Sequence, residues 1–287
     1  MGSIVDTPAV RLQLESTSEA PSVVRGALSA IGDRASLPSG LLDDLKTAAT
    51  EACNNVVMHA YAGFPGPLEV RVYLDPGGLE IVVRDHGLGI PDRLETDEQP
   101  QGIGIPMIES LAEDAEFIRC EEGGTEVRMR FGRVGDTEAL TPELEPELED
   151  DWISQLSGDA VVSLSSPSLL EGVLGRVTRA LAAKARFSLD RFSDIFLATD
   201  VIATHASEAV AGGRIAFGLS IDVRHLEMTI GPFPAGTSSA LSRRAAIRPS
   251  QSMLGTLVDR LEVLPTDGSE MLRIVIDESP RRMASAS

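Results

Sequence analysis

Residues 136–151 read DTEALTPELEPELEDD, with eight acidic side chains, no basic one, and prolines at 142 and 146. A segment that repels itself along its length and is twice interrupted by proline is expected to extend in solvent rather than pack. It divides the 287-residue chain into residues 1–135 and 152–287, each of ordinary domain size. Charge changes across the divide. The first piece holds 11 basic and 22 acidic residues, the second 14 and 14, and the whole chain carries −19.

With 43% apolar and 24% charged residues, each piece has enough apolar side chains for a core. The net charge has the wrong sign for releasing phosphate counterions, and 4% aromatic content provides few stacking platforms, so direct nucleic-acid binding is not expected. No uncharged apolar run approaches the roughly 18 residues of a membrane span, and the opening residues lack a basic segment before an apolar one. A cytoplasmic protein is the expectation. Cys53 and Cys120 stand in apolar or strand-like contexts without metal-ligand spacing and read as buried, reduced thiols.

The first piece alternates like a strand over 9–14 and takes helical spacing over 21–32. A long helix is expected from Ser39 as N-cap to Tyr61, with an apolar face from Leu41 to Val57. Strand patterns at 68–74 and 79–84 flank Asp75-Pro76-Gly77-Gly78, a hairpin turn by composition. Pro106–Leu111 begins another helix, and 115–120 and 125–131 form a last hairpin around Gly123-Gly124. This order predicts an α+β fold, a two-layer sandwich with helices on one face of a mostly antiparallel sheet.

Three motifs carry chemistry. In the long helix Glu51 and Asn55 are four residues apart and share a face, and His59 continues the line one turn on. A carboxylate there suits a general base, and an amide oxygen suits Mg²⁺ that keeps most bonds to water and phosphate; an amphipathic core helix with solvated polar positions accounts for the spacing equally well. Asp85-His86-Gly87-Leu88-Gly89 ends a strand. An ionised Asp85 only accepts hydrogen bonds, which suits an exocyclic amine, and the glycines let backbone approach a ligand, though an ordinary turn has the same composition. Gly102-Ile103-Gly104-Ile105-Pro106 is a Gly-rich loop entering a helix, a geometry that aims N–H groups at phosphate or simply caps the helix. It lacks the Lys-Ser/Thr pair of a P-loop.

In this order the motifs resemble the N, G1 and G2 boxes of the GHKL ATPase superfamily. The stretch Glu51-Ala52-Cys53-Asn54-Asn55-Val56-Val57-Met58-His59-Ala60-Tyr61 and residues 102–114 are similar to those boxes in bacterial anti-sigma-factor serine kinases, over roughly residues 9–131. The resemblance implies the Bergerat-type sandwich and ATP or ADP with Mg²⁺. It implies that Asn55 holds the metal, Asp85 recognises adenine, and Glu51 activates the attacking oxygen. Gly87, Gly89, Gly102 and Gly104 would shape the pocket, with His59, Ile103 and Thr125 completing the ATP-binding set. The implied activity is serine/threonine kinase action on an anti-anti-sigma protein, with a sigma factor as the other partner. Kinases of this family often carry a basic side chain just before the G2 glycines, where this chain has Pro100 and Gln101. A nucleotide-gated binding protein without phosphotransfer therefore stays open as the alternative.

The second piece reads as a degenerate copy of the first. Leu226-Glu227-Met228 aligns with Leu79-Glu80-Ile81, Leu257–Leu264 with Leu111–Ile118, and Asp194–Ala206 with Asp44–Val56. Val201 then stands for Glu51, His205 for Asn55, Pro232 for Asp85, and Gly102 and Gly104 fall near Arg248 and Ser250. The expectation is one nucleotide site, in residues 1–135, within a monomer whose halves pair as an intramolecular pseudodimer.

Overall fold

The computed structural model describes residues 7–75, 78–89, 104–132, 153–210, 213–238, 253–266 and 268–278. Alternating sequence makes the strands of the first half: β1 (Val10–Glu15), β2 (Pro67–Asp75), β3 (Gly78–Asp85), β4 (Asp114–Arg119) and β5 (Thr125–Phe131). In β1 the residues Val10, Leu12 and Leu14 are buried while Gln13 and Glu15 face water, which is the period-two pattern of a half-covered sheet. Three helices cover one face: α1 (Ala20–Arg34), α2 (Ser39–Asn55) and α3 (Gly104–Leu111). The α+β class and the antiparallel sheet expected from sequence are present.

Two local expectations need correction. Ser39 opens α2 rather than capping it. Extended Pro38 occupies the cap position, its carbonyl accepting the Leu42 N–H at 3.0 Å as the first helical bond, and no side chain caps the free N–H groups. The α-helical ladder also stops at Asn55. Val56–Ala60 form a π turn, and Tyr61 is already extended with φ −124° and ψ 136°.

The second half contains β6 (Ala160–Leu164), α4 (Leu170–Ala182), α5 (Leu189–Ala209), β7 (Ile215–Asp222), β8 (His225–Pro234), α6 (Met253–Leu257), β9 (Arg260–Thr266) and β10 (Ser269–Asp277). All ten strands belong to one sheet, in the order β4-β5-β3-β2-β1-β6-β7-β8-β10-β9. Read outward from the centre, each half follows the same path. The openings Ala160, Leu170 and Leu189 of β6, α4 and α5 each fall 150 residues after Val10, Ala20 and Ser39 of β1, α1 and α2.

The join between the halves is isologous in form. In the antiparallel β1–β6 pair Leu12 lies opposite Val162, again 150 residues on, and both are fully buried. Above it α1 crosses α4 where a side chain on Gly26 would meet the Arg176 Cβ at 3.3 Å, while Gly172 faces Ala30 across the same crossing. Small residues let the two backbones approach, and one continuous hydrophobic core then runs beneath the helices of both halves. Asp33 pairs with Arg176, and Glu19 with Lys184 at 3.2 Å. In both bridges the acid is on the first half and the base on the second.

On the helix-free face the first half displays a charged ladder. Arg11 meets Glu69 at 2.5 Å, and Arg71 and Arg128 both meet Glu126 at 2.7 Å. The second half carries an apolar patch there, with Leu156 on Val161, Ala216 and Met271, beside an Arg273–Glu227 ion pair at 2.7 Å. Gly218 has no side chain because the Ser157 carbonyl occupies that space. Residues 136–151 lie outside the described residues.

Candidate nucleotide site

Asp85 ends β3 and is buried, at 4% exposure, with each carboxylate oxygen holding a backbone group. Oδ1 accepts the Gly87 N–H at 2.8 Å and Oδ2 accepts the Thr125 N–H at 3.2 Å. The side chain expected to project from a strand edge is instead a bracket between the turn after β3 and the start of β5. Each oxygen retains acceptor capacity for a further donor.

That turn is tied down at every step. The His86 N–H donates to Tyr61 Oη at 2.9 Å, Gly87 to Asp85, and Leu88 to the Ala60 carbonyl at 2.9 Å. The π turn supplies two of these acceptors because its wider last turn brings Ala60 and Tyr61 beside the β3 exit. Gly87 is required, since any Cβ would overlap the Ala60 carbonyl. Gly124, with φ +82°, is required twice over, because a Cβ there would overlap the Asp85 carbonyl. Gly89, at φ +73°, turns the chain back above Gly124.

Glu51 and Asn55 are half-buried on α2, and Cys53, between them in sequence, is fully buried. Burial pushes its thiol up to about 12, so Cys53 is a packing residue. Cys120, expected to be buried, is only partly so, because it lies in the β4–β5 turn. The Glu51 carboxylate occupies the space that a side chain on Gly104 would fill. Motifs half a hundred residues apart in sequence thus meet at the first residue of α3. His59 is exposed. Gly102 and Ile103 lie outside the described residues, as do Asp92, Arg93, Glu95, Asp97, Glu98, Pro100 and Gln101. Among the described residues no group of three or more His, Cys, Asp or Glu could hold a metal ion.

Residues 14–131 match the histidine kinase-like ATPase domain family. Similar proteins include the anti-sigma F factor of Geobacillus stearothermophilus, 28% identical over 132 residues that cover 42% of this chain and 90% of that protein. The anti-sigma F factor of Bacillus cytotoxicus is 27% identical over 131 residues, 42% of this chain and 89% of that one. The serine-protein kinase RsbW of Bacillus cereus is 24% identical over 135 residues, 42% of this chain and 84% of that one. The segment similar to this family holds both the Asp85–Gly87–Thr125 cluster and the Glu51–Gly104 contact.

The matching corner of the second half is built differently. His205 on α5 lies beside Phe233, the rings tilted by 41° with centroids 6.5 Å apart, Val201 is half-buried, and Pro232 lies in β8. The carboxylate has changed strands. Glu270, on β10, is held by the backbone N–H groups of Gly236, Thr237 and Ser238 in the turn after β8. Burial raises the Glu270 pKa, and the three donors outweigh it, leaving the group below its ordinary value. Arg243, Arg244, Arg248 and Ser250 lie outside the described residues.

Sequence reasoning passed over Tyr61 and Gly124. Tyr61 reads as a helix end and Gly124 as a hairpin glycine, and neither has a spacing signal toward Asp85. No helix among the described residues is long and apolar enough to cross a membrane.

Proposed function

We propose that this chain is an ATP-binding anti-sigma regulator that transfers the γ-phosphoryl group of ATP to a serine or threonine of an anti-anti-sigma protein. The observation that carries the reading is the Asp85 bracket, in which a buried carboxylate, fixed by two backbone donors, keeps acceptor capacity toward an exocyclic amine. It lies in the segment similar to proteins named anti-sigma F factor and serine-protein kinase RsbW.

In this reading Asp85 accepts from the adenine amine and Gly87, Gly89 and Gly124 keep the pocket walls backbone-thin. The Gly102-Ile103-Gly104 motif supplies the phosphate contacts, with Gly104 as the first residue of α3. His59 and Thr125 border the nucleotide. The hard oxygen donors of the Glu51–Asn55 face suit Mg²⁺, with Asn55 as the protein ligand, and the ion would neutralise phosphate charge when bound. Glu51 accepts the hydroxyl proton as the serine oxygen bonds to phosphorus and the bond to the ADP oxygen breaks. The second half, with the same element order but Val201, His205 and Pro232 at the corresponding positions, is proposed as a degenerate copy in the place of a partner subunit.

The test is phosphate transfer from labelled ATP and Mg²⁺ to a candidate anti-anti-sigma protein by wild type and Glu51→Ala. The expected result is transfer by wild type and a loss of about 100-fold or more in the variant, with nucleotide affinity within a small factor, because a general base acts in the transition state. Equal transfer by both would remove Glu51 from its role. Tight nucleotide binding without any transfer would favour a nucleotide-gated binding protein.

A further inference from the structure

We infer that Tyr61 is a positioning residue for adenine recognition, acting through the turn that carries Asp85; the inference rests on the ATP-binding reading above. Its hydroxyl makes two bonds of opposite sense. It accepts the His86 N–H at 2.9 Å and donates to the Pro67 carbonyl at 2.5 Å, so one atom joins the exit of β3 to the entrance of β2. The ring is seated against Gly66, whose missing side chain is what admits it. Gly66 is itself fixed, its N–H donating to Ser16 Oγ at 2.9 Å and its carbonyl accepting the Ser16 N–H at 2.8 Å. Burial raises the Tyr61 pKa, the His86 bond lowers it and the nearby Asp85 charge raises it again, leaving the hydroxyl protonated and able to donate.

The consequence concerns rotation of the Asp85 carboxylate. One oxygen is tied to Gly87, in the same turn, and the other to Thr125 at the start of β5, so a shift of the turn rotates the carboxylate about its β5 anchor. Among the described residues, the bonds to Tyr61 and Ala60 hold that turn from the α2 side. Without the hydroxyl, His86 is released, and the acceptor direction offered to a ligand amine is no longer fixed. Catalytic Glu51 is on α2 and is not touched by Tyr61. At the position 150 residues later the second half has Ala211, which cannot make either bond.

The experiment measures affinity of the full chain for two probes, ATP and the purine riboside triphosphate that lacks the exocyclic amine, in wild type, Tyr61→Phe and Gly66→Ala. Phe keeps the ring and removes the hydroxyl; Ala at 66 keeps the hydroxyl and displaces the ring. In both variants ATP should weaken about tenfold, the worth of one misdirected bond to a charged acceptor, while the analogue stays within about twofold. The discrimination between the probes therefore collapses. Equal weakening of both probes would mean that Tyr61 only supports the fold, and unchanged ATP affinity in both variants would mean that it positions nothing. A wild type that discriminates between the probes while the variants do so equally well overturns this inference and leaves the ATP reading intact; a wild type that binds neither probe overturns both.

Discussion

The same chemical device, a buried carboxylate gathering backbone N–H groups beside the strand that leaves the sheet centre third, occurs in both halves with opposite outcomes. Asp85 holds one donor on each oxygen and has capacity left for a ligand. Glu270 is surrounded by three consecutive donors of its own chain, and in the proposed reading this fills the corner that matches the nucleotide site. A fold that favours ionised Glu270 gains stability above the ordinary value of 4.5 and loses it as pH falls through the lowered value. Glu126, where burial raises the pKa but bonds and charge from Arg128 and Arg71 outweigh it, behaves in the same sense. Glu270→Gln should therefore melt about 5 °C below wild type at neutral pH, and the difference should shrink as pH falls from 4.5 through the lowered value. Thermal unfolding followed from pH 7 to pH 3 measures it; a gap that persists unchanged at acid pH would show that the charge is not what the turn holds. The sequence announced Asp85 through its following glycines, but it could not announce Glu270. A glutamate in an alternating strand is the commonest of solvent-facing residues, and only the turn folding back from β8 makes it an anion in a cradle.

The α2 end shows how elements can be legible while their ends are not. Apolar spacing from Leu45 to Val56 marks α2 because those side chains face the sheet. Nothing in that spacing marks the π turn at Val56–Ala60, since one inserted residue per turn is decided by where Tyr61 and Ala60 find their partners on the neighbouring turn. Hairpins were readable for a similar local reason, with Gly78 pairing Asp75 and Gly124 following β4 within a few residues. In the second half α6, which stands in the place of α3, has only five residues and is stapled from outside. Arg191, 8% exposed on α5, donates to the Leu257 carbonyl at 3.0 Å and the Asp277 carbonyl at 2.7 Å, and pairs with Asp194 and Asp259. One guanidinium thus joins α5, α6, β9 and β10. Arg191→Leu leaves buried Asp194 without that partner and should cost about 3 kcal/mol in denaturant unfolding. A loss below about 1 kcal/mol would show that α6 is held by its apolar contacts alone.

At the scale of the molecule the acidic block divides the chain into two pieces expected to pair as an intramolecular pseudodimer, and one sheet runs through both by way of β1 and β6. That pairing was not legible because it spans 150 residues and depends on two edge strands finding each other, whereas a charge count senses only what lies between them. Continuity has a consequence for assembly. The β1 edge and the α1 surface are already covered by β6 and α4, so they are closed to a second chain. The mixed pairs Asp33–Arg176 and Glu19–Lys184 favour this unlike partnership over a pairing of two identical halves. Light scattering across a dilution series should give a mass of 30.5 kDa throughout; a mass near twice that value would show that the second half does not substitute for a subunit.

One active cleft and one internally filled cleft in a single chain is the central claim, and binding stoichiometry addresses it directly. Calorimetric titration of the full chain with ATP and Mg²⁺ should give one nucleotide per chain. The Asp85→Asn variant, which turns part of an acceptor into a donor facing the adenine amine, should weaken binding by about 100-fold or more. Two nucleotides per chain, or one that binds the Asp85→Asn variant as tightly as wild type, would contradict it.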